Sequence, residues 1–325
     1  MNGIHQISLI IGLFILPILG SGQTCCSSGI PIASNVGYSS QNRGVITTSF
    51  HYENNQLNTL LDEREVLPLN NRQRNTRSYL WRIGYQFRER WSTEALLPYV
   101  TQNRDITRNN GEVDQEQAQG IGDVALLVKY DVVKKMEWNV NLGFGTKLST
   151  GNSEHLNRIG LLLVKDLQPG TGAIDWIGRI AIEHHPSFRP SMNIFLSAIY
   201  SIKGTDEKYL GSQAYRFGND GQIFLGVGDQ WILGNKNVSS SLGFRYRRAE
   251  QDLIDGIDLP NTGGHWIFLR PHLGIQLFKN IQFLSTLEIP ILSRVDGTQL
   301  SPTYIFNLGV LANVSLVQTN KITLP

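Results

Sequence analysis

The sequence predicts an all-β fold, a transmembrane antiparallel β-barrel of about twelve strands (roughly 10 to 14). Three observations predict it. Apolar and polar residues alternate over segments longer than ordinary globular strands. The polar face of those segments carries charges of both signs with glycine between them. The connections alternate between long and short, as they do when one rim of a barrel holds the loops and the other the tight turns.

Composition agrees. The 325 residues hold 29 Lys plus Arg and 27 Asp plus Glu, a net charge of +2. That balance excludes a polybasic nucleic-acid arm, and no nucleic-acid partner is expected. Hydrophobic residues make up 41%, too many for a disordered chain. The two cysteines, Cys25 and Cys26, are adjacent, so no disulfide scaffold is present.

The elements follow in order. Leu9 to Leu19 reads LIIGLFILPIL, too short for a spanning helix, which needs about 20 residues, but of the length of a signal-peptide core. Gly20-Ser21-Gly22 supplies small residues for cleavage, so residues 1–22 are read as a signal peptide. A lipoprotein signal fits less well, because Gly22 and Thr24 stand where a lipobox needs an apolar and a small residue before Cys25. Residues 23–43 read as an N-terminal periplasmic segment, 44–316 as the outer-membrane barrel, and 317–325 as a C-terminal tail.

Within the barrel, strands are expected near 44–54, 75–88, 91–103, 121–132, 137–148, 174–183, 191–202, 221–231, 238–248, 265–277, 281–291 and 303–316. From Arg77, Tyr79, Trp81, Ile83, Tyr85 and Phe87 share one face, against Ser78, Arg82, Gly84 and Gln86. From Glu137, Trp138, Val140, Leu142 and Phe144 oppose Asn139, Asn141, Gly143 and Gly145. Leu242, Phe244 and Tyr246 oppose Ser241, Arg245 and Arg247 in the same way. The 191–202 span departs from strict alternation at Ile194, Phe195 and Leu196. Aromatics near strand ends, among them Trp91, Tyr99, Tyr130, Trp138, Trp176 and Tyr304, suit interfacial girdles against outer-membrane lipid. An even count closes the sheet and leaves no edge unpaired in lipid.

The polar register then defines a lumen. Its expected bases are Arg82, Arg88, Lys129, Lys147, Arg179, Arg245, Arg247 and Arg270. Its expected acids are Glu94, Asp123, Asp131, Glu137, Asp175, Glu183 and Glu288. Near-balanced charge fits two interiors. One is an ion-pair network that props a narrow or closed barrel. The other is a selective pore whose charged rings choose the solute. Arg245, Arg247, Arg270 and His272 on neighbouring strands, with Glu288 next, form a candidate basic constriction for an anionic or polyhydroxylated small molecule.

Several phrases resemble one family. Glu94-Ala-Leu-Leu-Pro98-Tyr99 resembles its E-x-x-x-P-Y strand, and Gly120-Ile-Gly122-Asp123 with Lys129-Tyr130 its G-x-G-D…K-Y strand. Lys147-Leu-Ser-Thr-Gly151 resembles its K-L-P-T-G strand end, and Asp166-Leu-Gln-Pro-Gly-Thr-Gly172 its D-L-Q-P-G-T-G loop. The family is that of outer-membrane transporters named for the meta-pathway of phenol degradation, and the match covers roughly 90–180. The Cys25-Cys26 pair resembles the mature start of such proteins in the Bacteroidetes. The resemblance implies an outer-membrane barrel of channel or transporter type. It does not imply phenol as a solute.

Two other functions are weighed. A barrel lipid hydrolase would need a nucleophile beside a base; Glu183-His184-His185-Pro-Ser187 offers these types, but in a short turn. A non-conducting structural or adhesion barrel would use the polar loops 55–74 and 104–120 for contact. No phosphate loop, nucleophile elbow or zinc spacing occurs, so no cofactor, metal or catalytic residue is assigned. The expected function is passive or facilitated passage of small solutes across the bacterial outer membrane.

Overall fold

The computed structural model describes residues 44–68 and 70–315. The expected signal peptide, the 23–43 segment with its cysteines, and the 317–325 tail lie outside the described residues.

The first half contributes β1 (Val45–Leu57), β2 (Thr59–Asp62), β3 (Glu65–Val66), β4 (Arg72–Gln86), β5 (Trp91–Thr107), β6 (Val113–Ile121), β7 (Ala125–Lys134), β8 (Trp138–Lys147) and β9 (Asp175–His184). The second contributes β10 (Asn193–Ile202), β11 (Thr205–Tyr209), β12 (Gln213–Arg216), β13 (Asp220–Leu233), β14 (Lys236–Ala249), β15 (Leu253–Ile254), β16 (Ile257–Asp258), β17 (Gly264–Phe278), β18 (Ile281–Val295), β19 (Thr298–Ser301) and β20 (Tyr304–Ser315).

The wall is a closed, antiparallel, twelve-strand barrel. Neighbours in sequence pair around the ring, and β1 closes on β20 from Val45↔Ser315 to Gln56↔Tyr304. β6 and β7 share one position in the wall. β5 pairs with β6 above Tyr99↔Ile121 and with β7 below Leu96↔Ala125. Between them Gly122, Asp123 and Val124 leave the ladder opposite Pro98, which has no N–H to donate. Closure leaves no free edge, which hydrocarbon would not tolerate.

The alternating faces fall as the period of two requires. Phe144 is 61% exposed, Trp138 44% and Leu273 43%, all on the outer surface. A soluble sandwich would have buried them between two sheets. Instead the outer wall is a belt of Leu, Ile, Val and Phe, among them Leu126, Val128, Leu225, Val227, Leu242 and Phe244. Aromatic pairs mark the short-turn rim: Trp91 against Tyr130 at 4.7 Å, and Trp138 stacked on His184 at 4.2 Å.

The long connections carry more order than the sequence implied. β5 and β6 continue as a polar hairpin to Thr107↔Val113, tied by ion pairs between Arg104 and Glu116 and between Arg108 and Asp114. β19, β2 and β3 form one small sheet, and β11, β12, β15 and β16 another. The β15–β16 hairpin turns on Asp255-Gly256, both at positive φ (52° and 79°), a two-residue turn that Asp-Gly adopts readily. These strands were hidden because each is only two to five residues long, too short for its buried side chains, such as Leu60, Leu61, Tyr209 and Tyr215, to set up an alternation.

Irregular positions also have physical causes. Phe195 breaks the alternation of β10 because it points inward over Gly226 and Gly243, where an added Cβ would sit 2.5 and 3.4 Å from its ring. The Ile291-Leu292 doublet is a bulge: Ile267 pairs with Leu292 and Phe268 with Pro290, so two apolar residues face out in succession.

Candidate functional site: the barrel interior

Three groups of side chains fill the interior. On β4, β5, β7 and β9 the inward register brings Arg82, Glu94, Lys129 and Arg179 together. Glu94 accepts from Arg82 at 2.8 Å and from Lys129 at 2.7 Å. Arg179 donates to Asn141 at 3.1 Å, and Asn141 donates to Asp131 at 2.8 Å. One carboxylate thus holds two cations across three strands.

A second group lies on β13, β14, β17 and β18. Glu288 accepts from Arg245 at 3.1 Å and Arg270 at 2.9 Å. Arg247 pairs with Asp220 at 2.6 Å. His272 bonds through Nδ1 to the Thr286 hydroxyl at 2.8 Å. The Arg245 guanidinium lies 4.2 Å over the Phe268 ring and that of Arg270 5.5 Å from Phe224, so both are stacked as well as paired. The four residues of the expected basic cluster therefore come together with Glu288, and each of its guanidiniums has a carboxylate partner.

The third group is the connection between β8 and β9, which folds inward. A short 3-10 turn, Lys165–Leu167, places Asp166 2.7 Å from Arg74 on β4, and Lys165 against Asp206. The Gln102 side chain donates to the Gln168 carbonyl at 3.2 Å. Thr171 donates its N–H at 2.9 Å and its hydroxyl at 2.6 Å to Asp123. Lys147 bridges Asp123 at 2.9 Å and Asp175 at 3.1 Å, and Lys203 adds a second cation to Asp175 at 3.1 Å. Gly170 packs against Gly151 so closely that a Cβ on it would lie 2.4 Å from the Gly151 carbonyl carbon. The D-L-Q-P-G-T-G block is thus the part that seals this inward loop to the wall.

Between the loop and the first ionic group lies an apolar layer. Leu80, Leu96, Leu127 and Ile177 each sit one inward position toward the long-loop rim from Arg82, Glu94, Lys129 and Arg179. With Ala125, Ile199 and Phe224 they form one buried cluster.

Most expected lumen residues are where the register placed them: Arg82, Lys129, Arg179, Arg245, Arg247, Arg270, His272, Glu94, Asp123 and Glu288 all face inward. Arg88 is a correction. It is exposed in the short turn after β4, where its N–H reaches the Trp91 carbonyl, because the strand ends at Gln86 and the alternation ends with it. Glu137, exposed in the next short turn, departs for the same reason. Sequence reasoning missed the apolar layer, whose members sit in runs such as Ile223-Phe224-Leu225 where both faces are apolar. It also missed Arg74, Lys165 and Asp166, assigned to loops, and Asp220.

His184 and His185 are each held by a backbone carbonyl, of Glu137 at 3.1 Å and Met192 at 3.0 Å, and Ser187 is exposed in the turn beyond them. Among the described residues no cluster of three or more His, Cys, Asp or Glu is placed to hold a metal.

A closed antiparallel wall, an apolar outer belt and a charged interior define a β-barrel of the bacterial outer-membrane class. An outer membrane channel from Pseudomonas putida has the same fold, with a TM-score of 0.67 at 12% identity over 86% of this chain and 98% of that one. Two other solved structures overlap less. The CymD monoaromatic hydrocarbon channel gives a TM-score of 0.42 at 9% identity over 84% of this chain and 89% of its own. A FadL homologue from Pseudomonas aeruginosa gives 0.41 at 8% over 82% and 90%. No family model matches the sequence, and no curated protein matches it.

Proposed function

We propose that the chain is an outer-membrane channel for passive or facilitated passage of small polar solutes. The observation that carries this is the paired charge on the inward face. Buried ion pairs are commonly no more stabilising than well-packed apolar side chains of the same volume. A barrel that only had to fill itself would have little reason to place three arginines, Glu288, Asp220 and His272 on adjoining strands. Such groups suit a hydrated path whose local charges discriminate among solutes. The inward loop, anchored through Arg74–Asp166 and Thr171–Asp123, is the element that sets the aperture. The termini-bearing short-turn rim faces the periplasm and the long-loop rim the outside.

Planar-bilayer recording tests this. The purified protein should give discrete conductance steps, and the Arg245→Ala, Arg247→Ala, Arg270→Ala triple variant should shift permeability toward cations, since Glu288 and Asp220 lose their partners. An unchanged anion/cation ratio would mean that solutes do not pass these residues.

A second reading is favoured by the apolar layer, in which Leu80 and Phe224 are both 0% exposed. A layer so tightly closed suits a non-conducting structural or adhesion barrel. Absence of any conductance step would select it.

A further inference from the structure

On the short-turn side of Arg270 the interior opens into a hollow of about 350 Å³. It falls at the small end of the range of small-molecule sites, about 300–1,000 Å³. We propose that this hollow binds a neutral polyhydroxylated solute of mono- or disaccharide size. The proposal rests on the reading of the chain as a solute channel and names the solute class for it.

The space exists because of what the strands omit. Inward positions of β13 and β14 there carry Gly228, Ser239 and Ser241, and Gly274 on β17 lets the Ser239 and Gln282 side chains lie flat against the wall. A Cβ on Gly274 would sit 2.3 Å from the Ser239 hydroxyl and 2.7 Å from the Gln282 amide nitrogen, so any larger residue would displace both. Toward the long-loop rim the same strands carry the long side chains of Arg245, Arg247 and Arg270 instead. One end of this sector is hollow and the other is filled.

The lining then fixes the chemistry. The hollow meets the amides of Asn193, Gln276 and Gln282, the hydroxyls of Ser239 and Ser241, and His272. Gln276 donates to the Phe278 carbonyl at 2.7 Å and the Lys279 carbonyl at 3.0 Å, and Gln282 to Ser239 at 3.2 Å, so both amides are held in place. Asn193 Oδ1 is buried without a hydrogen-bond partner within the protein. A solute hydroxyl would satisfy it, and a buried acceptor left unmade costs about 1–3 kcal/mol. The charged groups at the margin are already paired: Arg270 with Glu288, and Asp229 with Arg189 at 2.6 Å. Neutral donors and acceptors thus dominate what is free to meet a ligand, and Phe195 adds an apolar wall against which the C–H face of a sugar ring can lie. An anion would have to disrupt the Arg270–Glu288 pair. A hydrocarbon would leave the amides and hydroxyls unsolvated.

Calorimetric titration of the detergent-purified full chain tests the proposal, with glucose, maltose, gluconate and toluene as probes. Saturable binding of glucose or maltose is expected, at least about tenfold tighter than that of gluconate or toluene, and weakened at least about tenfold in Asn193→Ala/Gln282→Ala. Heat-modifiable gel mobility identifies variants that still form the closed barrel. Phe195→Leu, which keeps an apolar wall but removes the ring, should weaken saccharide binding less than the double variant does. Absence of saccharide binding, equal binding by a folded double variant, or preference for toluene or gluconate would overturn the proposal. Saccharide binding without conductance would sustain the site and remove the channel. Conductance without saccharide binding would do the reverse.

Discussion

Glu94 shows how a single residue governs this interior. It is buried, and it accepts from both Arg82 and Lys129. Its conversion to an amide leaves two buried cations short of a counter-charge. Breaking a buried pair costs about 3–5 kcal/mol. Glu94→Gln should therefore lower the unfolding midpoint in detergent strongly, and Glu94→Gln/Lys129→Met should recover part of the loss. A Glu94→Gln barrel as stable as the wild type would show that the pair is solvated rather than buried. The sequence exposed Glu94, Arg82 and Lys129 because each is a charge in strict alternation with apolar neighbours. Phe224 and Phe268 stayed hidden because an inward aromatic between outward aliphatics leaves no period to read. Arg88 misled because alternation alone does not say where a strand stops.

At the scale of the element, the loop from Leu148 to Ile174 would set the aperture of the proposed channel. Gly170→Val would force a side chain into the Gly151 backbone and lift the loop from the wall. Conductance in bilayers should rise several-fold; an unchanged conductance would place the limiting constriction elsewhere, in the apolar layer. The D-L-Q-P-G-T-G phrase marked this loop as special in the sequence, but its inward course depends on partners as distant as Arg74 and Asp206, which no local pattern reveals.

The small sheet of β11, β12, β15 and β16, a cap on the long-loop rim, adds a pH-dependent element. Asp252 accepts from the Tyr215 hydroxyl at 2.6 Å and the Gly218 N–H at 2.8 Å, yet burial, with Asp166 nearby, raises its pKa to about 6. The same burial pushes the Tyr215 hydroxyl up. A carboxyl whose folded pKa lies above its unfolded value of about 3.9 binds its proton more tightly in the folded cap. The cap should thus gain stability as pH falls through about 6, the gain being complete below the unfolded value. Limited proteolysis within 203–219 and 250–263 should be slower at pH 5 than at pH 8, and Asp252→Asn should abolish the difference. Equal rates in the wild type would show that the carboxyl is solvated.

At the scale of the molecule, the twelve-strand count and its near-boundaries were legible because lipid on one side and paired charge on the other enforce a period of two over whole spans. The small sheets on the long-loop rim were not, since their strands of two to five residues are too short to show a period even though they bury Leu60, Leu300 and Tyr215. An arginine replacing a lipid-facing residue at mid-depth costs about 2–4 kcal/mol in such barrels, against about 0–1 near an interface. Leu225→Arg should accordingly destabilise the barrel in lipid far more than Trp231→Arg at the short-turn rim, as read from unfolding midpoints.

The most direct measurement is a nitroxide scan along β8, with Cys25 and Cys26 replaced by serine and single labels placed from 138 to 147 in bilayers. Collision with lipid-soluble oxygen should peak at 140, 142 and 144 and fall at 139, 141 and 143, with a period of two. Labels that show no such period, or that meet oxygen most at 141 and 143, would contradict a barrel that turns its apolar face to lipid and its charges inward.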